Sequence, residues 1–320
     1  MRTFVTGAAG FIGSTLVDRL LEQGHAVVGY DNLATGRRQF IAKALKNSRF
    51  EFIEADLLDV RRLNNSVPGA EIVFHLSANA DVRFGTEHPR KDLDHNTIAT
   101  FNVLEAMRTG GVKSIAFAST GSVYGETAVI PTPEDAPFPI QTSLYGASKL
   151  ACEGLIAAYA EAYGMRAHIF RFVSILGERY THGHVFDFMR KLAKDPSTLH
   201  ILGNGLQRKS YLHVADCVEA MLIAMERANA KINLFNLGTE EYCEVRESAG
   251  WIAGRLGLAP RFTYAGGERG WIGDTPFIYL DTRRIRALGW LPRLSIRESV
   301  ELTVDWLKAN EWVFDARAEH

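Results

Sequence analysis

Tyr145 and Lys149 stand four positions apart, a spacing that places both side chains on one face of a helix. A phenol with a pKa of about 10 is a poor base at neutral pH. A neighbouring ammonium favours the phenolate and makes it a general base for an alcohol proton. Tyr-x-x-x-Lys also arises by chance in helices, so its surroundings decide. Upstream, Ser114 to Ala118 reads as a strand and runs into Ser119-Thr-Gly-Ser-Val-Tyr-Gly125, a hydroxyl-rich turn. The carboxyl end of a strand is where a doubly wound sheet displays its reacting groups.

A second constellation suits a dinucleotide. Thr6-Gly7-Ala8-Ala9-Gly10-Phe11-Ile12-Gly13 follows a first strand and opens a helix. Glycines at 7, 10 and 13 permit a tight turn, close approach to a pyrophosphate and close helix–sheet packing. The helix start then offers free N–H groups to the phosphates. Asp31 ends the second strand at about the 20-residue distance expected of a ribose-binding carboxylate. Such a carboxylate accepts from both ribose hydroxyls and repels a 2′-phosphate, which favours NAD over NADP. Arg37 and Arg38 read as a solvated loop, with a 2′-phosphate as the competing partner.

The elements that must position these groups show a strand–helix rhythm. Strand-like runs at Thr3 to Val5, Ala26 to Tyr30, Glu51 to Ile53, Ile72 to His75 and Ser114 to Ala118 are apolar on both faces, as in a covered parallel sheet. Helical patterns span Thr97 to Met107 and Tyr145 to Tyr163. The alternation predicts an α/β fold, a Rossmann-type doubly wound parallel sheet. After about Phe172 turn signals multiply, which predicts a smaller mixed α/β domain abutting the sheet's carboxyl edge.

Composition excludes several classes. The 36 basic and 37 acidic residues give a net charge of -1, so no global field draws nucleic acid or an anionic membrane. Cys152, Cys217 and Cys243 are scattered and form neither a disulfide framework nor a metal cluster. No apolar run approaches the roughly 18 residues of a membrane span. The strand pattern beginning at Met1 leaves no room for a signal peptide, so a cytoplasmic enzyme is expected.

Together, Gly-x-x-Gly-x-x-Gly, Asp31, Asp56-Leu57, the turn from Thr120 to Tyr124 and Tyr145-x-x-x-Lys149 resemble the extended short-chain dehydrogenase/reductase superfamily. Within it the chain is most similar to nucleotide-sugar epimerases of the UDP-glucose 4-epimerase type. Further matches lie at Asn96 with Asn102-Val-Leu-Glu-Ala106, Arg171-Phe172, Phe235-Asn-Leu-Gly238 and Leu288-Gly-Trp290. The resemblance implies NAD contacts from Gly7, Gly10, Phe11, Ile12, Gly13, Asp31, Asn32, Asp56, Leu57, Leu76, Ala78 and Asn96, together with Tyr145 and Lys149. Thr120 would hydrogen-bond the reacting sugar oxygen, Tyr145 would be the base, and Lys149 would bind the nicotinamide ribose. Asn96 taken alone reads as a helix N-cap. The resemblance also implies a sheet domain over 1–173 that receives 213–238, and a discontinuous nucleotide-sugar domain over 174–320.

Related 4,6-dehydratases carry acids where this chain has Gly121 and Ser122. Elimination of water needs those acids, whereas inversion at C4 through a transient 4-keto sugar needs Thr120, Tyr145 and NAD. Epimerisation is therefore expected; a UDP-glucuronate 4-epimerase, a dehydratase, a 4-reductase or a non-catalytic NAD-binding regulator are the alternatives. Substrate contacts are expected from Arg83, Thr120, Ser122, Ser174, Lys209 and Arg269. Lys209 stands where relatives have a phosphate-binding arginine, and Arg208 beside it is a possible substitute. Ser174 replaces a frequent asparagine. Asn79, Asp81 and Arg83 lie where relatives meet the sugar, and Arg83 suits a uronate carboxylate. His182 and His184 read as surface loop histidines, with sugar contact as the other reading. Relatives pair the helices from Thr97 and from Tyr145 across a two-fold axis, so a homodimer through a four-helix bundle is expected.

Overall fold

A computed structural model of the chain describes residues 1–79, 82–137, 140–271 and 273–315, with backbone alone at 82–84. Strand β1 (Arg2–Thr6) leads into helix α1 (Phe11–Glu22), followed by β2 (Ala26–Asp31), β3 (Phe50–Glu54), α2 (Val60–Ser66) and β4 (Ile72–His75). Short helices α3 (Val82–Glu87) and α4 (Pro89–Asp92) precede a π-helical turn, Leu93–Ile98, and α5 (Ala99–Gly110). Then come β5 (Ser114–Thr120), a 3-10 turn (Gly121–Tyr124), α6 (Leu144–Tyr163) and β6 (Arg166–Phe172).

Beyond β6 lie β7 (Ser174–Leu176), α7 (His184–Lys194), β8 (Thr198–Ile201), β9 (Arg208–Lys209), β10 (Tyr211–His213), α8 (Val214–Arg227) and β11 (Ile232–Leu237). The chain continues through β12 (Cys243–Glu244), α9 (Val245–Arg255), β13 (Arg261–Tyr264) and β14 (Phe277–Ile278). It ends with α10 (Arg283–Arg286), α11 (Ile296–Ala309) and α12 (Trp312–Asp315).

Seven parallel strands form the central sheet in the order β3-β2-β1-β4-β5-β6-β11. The order reverses between β1 and β4, the position where open α/β sheets leave a ligand crevice. In the register, Thr6 faces both Tyr30 and His75. Strand β4 is buried throughout, and β1 is buried beyond Arg2, because helices cover both faces. Strand β3 departs from the expected pattern: Glu51 and Glu54 are exposed and Phe52 is only half-buried. As the edge strand it has one open side, and acidic side chains there discourage further pairing.

Around the C-terminal part, helices α7, α9 and α11 bury Val185, Phe186, Ile252, Val300 and Val304 against one another. Parallel β8–β13, the pair β7–β10 and the small sheet β12-β9-β14 surround them. No helix among the described residues is long and apolar enough to cross a membrane.

Candidate active site

The turn after β1 is built on backbone approach. Gly7 has φ +68°, where side chains are strained, and its N–H donates to the Tyr30 carbonyl at 2.9 Å. A Cβ on Gly13 would lie 2.0 Å from the Gly7 oxygen, so only glycine lets α1 start so close under the turn. Gly10 caps α1 without a side-chain bond, leaving the first N–H groups of Phe11, Ile12 and Gly13 for an anion. Across the reversal point, Thr6 Oγ1 accepts from the N–H groups of Leu76 (3.1 Å) and Ser77 (3.2 Å). That pair pins the strand leading to Ala78 over the same crevice.

Asp31 is buried, and burial raises its carboxyl above the usual range. The N–H groups of Ala9 (2.9 Å, to Oδ2) and Leu33 (2.8 Å, to Oδ1) partly offset that rise and fix its direction. Beside it, a cleft with about 270 Å³ of empty volume is lined by Asp31, Asn32, Asp56, Leu57, Ser77 and His95. Asn32 Nδ2 donates to Asp56 Oδ2 at 2.8 Å, and Asn102 Nδ2 holds the Leu57 carbonyl at 3.0 Å. The residues therefore fit NAD: a glycine turn whose free N–H groups can take a diphosphate, a buried carboxylate that can take a ribose, and an open cleft beside them. Ser77 and His95 were not anticipated as lining residues; His95 reaches the cleft from the π-helical turn, a widening that no sequence period signals. Arg38 turns away to pair with Glu54 at 2.6 Å, over the Phe52 ring.

Helix α6 starts at Ser143, whose hydroxyl accepts from the Gly146 N–H at 3.0 Å. A Cβ at Gly146 would lie 2.8 Å from the Ser122 carbonyl, so the helix start is pressed against the 3-10 turn. This contact brings Tyr145 to Thr120, the end of β5. Thr120 Oγ1 donates to Ser122 Oγ at 3.2 Å and accepts from its N–H at 3.1 Å. Burial pushes the Tyr145 phenol up, and hydrogen bonding to Thr120 offsets part of that rise. The expected lowering by Lys149 is thus not built into the polypeptide alone. The Lys149 ammonium instead donates to the Ala118 carbonyl at 2.9 Å and sits 4.7 Å from the Phe117 ring centre. Its own burial pulls it down to about 8, against the pull of Cys152, Glu153 and Asp92.

Asn96 is fully buried within the π-helical turn, not at a helix N-cap. Its Oδ1 accepts from the Asn79 N–H at 2.8 Å and its Nδ2 donates to Ser148 Oγ at 2.8 Å. It therefore acts on the crevice through the loop after β4. Arg83 belongs to α3, but its side chain lies outside the described residues, as does Asp81.

The remaining substrate candidates lie in the C-terminal part. Ser174 is exposed at the start of β7, opposite Tyr211. Lys209 is buried, and its ammonium is held by Asp274 Oδ1 at 2.7 Å and by the Thr275 carbonyl. Burial lowers it while Asp274 restores charge. Arg208 alternates to the opposite face and lies 4.0 Å from the Phe277 ring centre, away from Lys209, so it is no substitute for it. Arg269 pairs with Glu126, from the loop after the 3-10 turn, and donates to the Asp274 carbonyl at 3.4 Å. His184 is half-buried and lies in a helix, not in a surface loop. It opens α7, packs 4.7 Å from the Tyr211 ring and hydrogen-bonds Ser248 Oγ at 2.7 Å. His182 stacks on Tyr180, which in turn meets Phe11 at the start of α1 edge-on.

The model of the NAD dependent epimerase/dehydratase family matches residues 3–238, from β1 to one residue past β11. The chain is 36% identical over 316 residues to the UDP-glucose 4-epimerase of Mycolicibacterium smegmatis, covering 96% of this chain and 99% of that protein. A solved UDP-galactose 4-epimerase superposes with a TM-score of 0.88 at 39% identity, covering 98% of this chain and 100% of that one. UDP-glucuronic acid 4-epimerase from Bacillus cereus, in complex with UDP-glucuronic acid and NAD, has a TM-score of 0.88 at 28% identity, covering 97% and 100%. Sheet order, the glycine turn and alignment from end to end lead to one conclusion: the chain belongs to the NAD-dependent epimerase/dehydratase family.

Proposed function

We propose that the protein inverts C4 of a UDP-hexose, interconverting UDP-glucose and UDP-galactose with NAD as a recycled cofactor. The observation that carries this reading is the catalytic turn. Thr120 and Tyr145 meet at the end of β5, and the two positions that follow Thr120 hold no acid. A side chain at Gly121 would be crowded, since a Cβ would lie 3.3 Å from the Phe172 carbonyl and 3.4 Å from Leu280.

NAD, when bound, supplies the hydride acceptor and gives the hydride back. Everything else falls to the chain's own groups. Tyr145 removes and later returns the proton of the C4 hydroxyl, while Thr120 orients that oxygen. Lys149, facing the same side of α6, holds the nicotinamide ribose and adds positive charge that favours phenolate. A phenol is protonated at neutral pH and burial pushes its pKa further up, so cationic groups gathered around it are what favour the base form. Lys209 and Arg269 anchor the diphosphate, so the sugar itself stays free to present its other face.

The fold supports three further parts of the reading. Strand β11 returns to pair with β6, in keeping with a sheet domain of 1–173 plus 213–238 and a nucleotide-sugar domain over 174–320. The outer faces of α5 and α6 expose Phe101, Leu144 and Tyr163, a ridge suited to a second copy of the chain. Three buried free thiols suit a reducing compartment, the cytoplasm.

The test incubates the protein with NAD and UDP-glucose, UDP-galactose or UDP-glucuronate and follows the sugar protons by NMR. Appearance of the C4 epimer from the neutral hexoses is expected; turnover of UDP-glucuronate alone would move the assignment to the uronate, and loss of water would make the enzyme a dehydratase. Tyr145→Phe should keep NAD affinity and lose about 10²-fold or more in kcat.

A further inference from the structure

Beneath the catalytic turn lies a buried charge pair that takes no part in the steps above. Glu153 follows Lys149 by four residues and Tyr145 by eight, so all three share one face of α6. Its Oε2 accepts from Arg171 Nη2 at 2.6 Å, and its Oε1 accepts from Arg171 Nε at 3.0 Å. Ser119, next to Thr120, donates to the same Oε1. Arg171 Nη1 donates onward to the Tyr124 hydroxyl at 2.7 Å and the Glu134 carbonyl at 3.1 Å. The Tyr124 hydroxyl donates to Asn236 Oδ1 at 2.8 Å, and the Asn236 N–H donates to Glu134 Oε1 at 2.9 Å. One hydrogen-bonded chain thus joins α6, β5, the 3-10 turn, β6 and β11.

Glu153 and Arg171 are 6% and 1% exposed. An ion pair buried that deeply is seldom more stable than apolar side chains of the same volume, so its value lies in what it fixes. It fixes the end of β5 to the face of α6 that carries Lys149. The ammonium has few supporters there. Among the described residues, Cys152 and Glu153 on α6 itself and Asp92 at the end of α4 favour its charge, and the Arg171 cation stands on the far side of Glu153, bonded to that carboxylate. His75 on β4 is held neutral by burial and by the lysine's own charge.

We infer that Glu153, held by Arg171 and Ser119, is a positioning residue that keeps the Lys149 ammonium charged and seated behind Tyr145. The inference rests on the epimerase reading only for what Lys149 then does, so the test reads titration first and turnover second. In full-length Tyr145→Phe protein, NMR of isotopically labelled lysine ε-methylenes follows Lys149, identified by its loss in Lys149→Met. Adding Glu153→Gln keeps the hydrogen bond to Ser119 and removes the charge; the Lys149 midpoint should fall by about one pH unit or more. Glu153→Asp, which keeps the charge but draws it back by one methylene, should fall between. In the enzyme with Tyr145 intact, Glu153→Gln should lose about tenfold in kcat at neutral pH and regain part of it with Glu153→Asp. A Lys149 midpoint in Glu153→Gln equal to its parent overturns the inference; if that variant does not fold, an unmoved midpoint in Glu153→Asp overturns it. A failed epimerase reading would appear differently, as absent turnover in the unaltered enzyme with the Lys149 shift intact.

Discussion

A single proton assignment shows how tightly the crevice floor is specified. Thr6 Oγ1 already accepts two backbone N–H bonds, so its own proton goes to His75 Nδ1 at 2.7 Å. His75 must then carry its proton on Nε2, which donates to Thr100 Oγ1 at 3.0 Å. Only the neutral ring satisfies both neighbours, since an imidazolium would aim a second N–H at a threonine with no lone pair to spare. Burial, with the Lys149 charge adding to it, pushes His75 down to about 3 from its ordinary 6.5. The unfolded chain therefore takes up a proton as pH falls through 6.5, and the folded chain does not until about 3. Stability should fall across that window by about 1.4 kcal/mol per pH unit for this one group. Burial lowers His184 to about 3 as well, which steepens the same trend. Tm measured in steps across the acid range should drop accordingly. His75→Gln, uncharged throughout, should be less stable at neutral pH yet show a shallower decline; an equally steep decline would locate the acid lability elsewhere.

At the scale of elements, what the sequence made legible was local. The glycine turn, the first five strands and α6 follow from period and turn residues within a few positions of one another. Strand β6 was harder to read because His168 and Arg171 interrupt its apolar run, and both turn out to be buried. Their partners, Ala228, Glu153 and Tyr124, lie 18 to 60 positions away, and no periodicity reports a distant partner. The same reason hid Asp274 behind Lys209 and Ser248 behind His184. Helix α5 starts two residues after its apolar pattern does, because Thr97 and Ile98 belong to the π-helical turn that widens the helix before Ala99. Where local pattern does suffice is the outer face of α5 and α6. Phe101, Tyr159 and Tyr163 form a continuous aromatic ridge, with ring centres 6.4 and 5.1 Å apart. Tyr159 is braced by Glu105 at 2.6 Å, and Arg108 covers Tyr163. Light scattering at micromolar concentration should give twice the chain mass, and Phe101→Glu, placing a charge in the ridge, should give the mass of one chain. A single-chain mass for the unaltered protein would remove the dimer.

Across the whole molecule, near-neutrality reaches down to the crevice, where the cations proposed to take the diphosphate already have carboxylate partners. Lys209 is buried with Asp274, and removing either would leave a charge stranded in the interior. Arg269 and Glu126 are different, at 45% and 42% side-chain exposure, and their pair bridges the C-terminal part to the loop after the 3-10 turn. An exposed pair of this kind is worth about 0–1 kcal/mol. Water and salt screen it, so a doubly charged ligand can displace the carboxylate at small cost. A strong surface cation would capture any anion, whereas a cation lightly held by Glu126 is released only to a ligand whose phosphates outcompete one carboxylate. Glu126→Gln should therefore tighten UDP, measured by titration calorimetry at low salt, by about fivefold, which is about 1 kcal/mol. The gain should shrink as salt rises, because the competing pair is itself screened. An unchanged Kd for UDP at low salt would mean that Arg269 does not reach the nucleotide, leaving the buried Lys209 to hold the diphosphate alone.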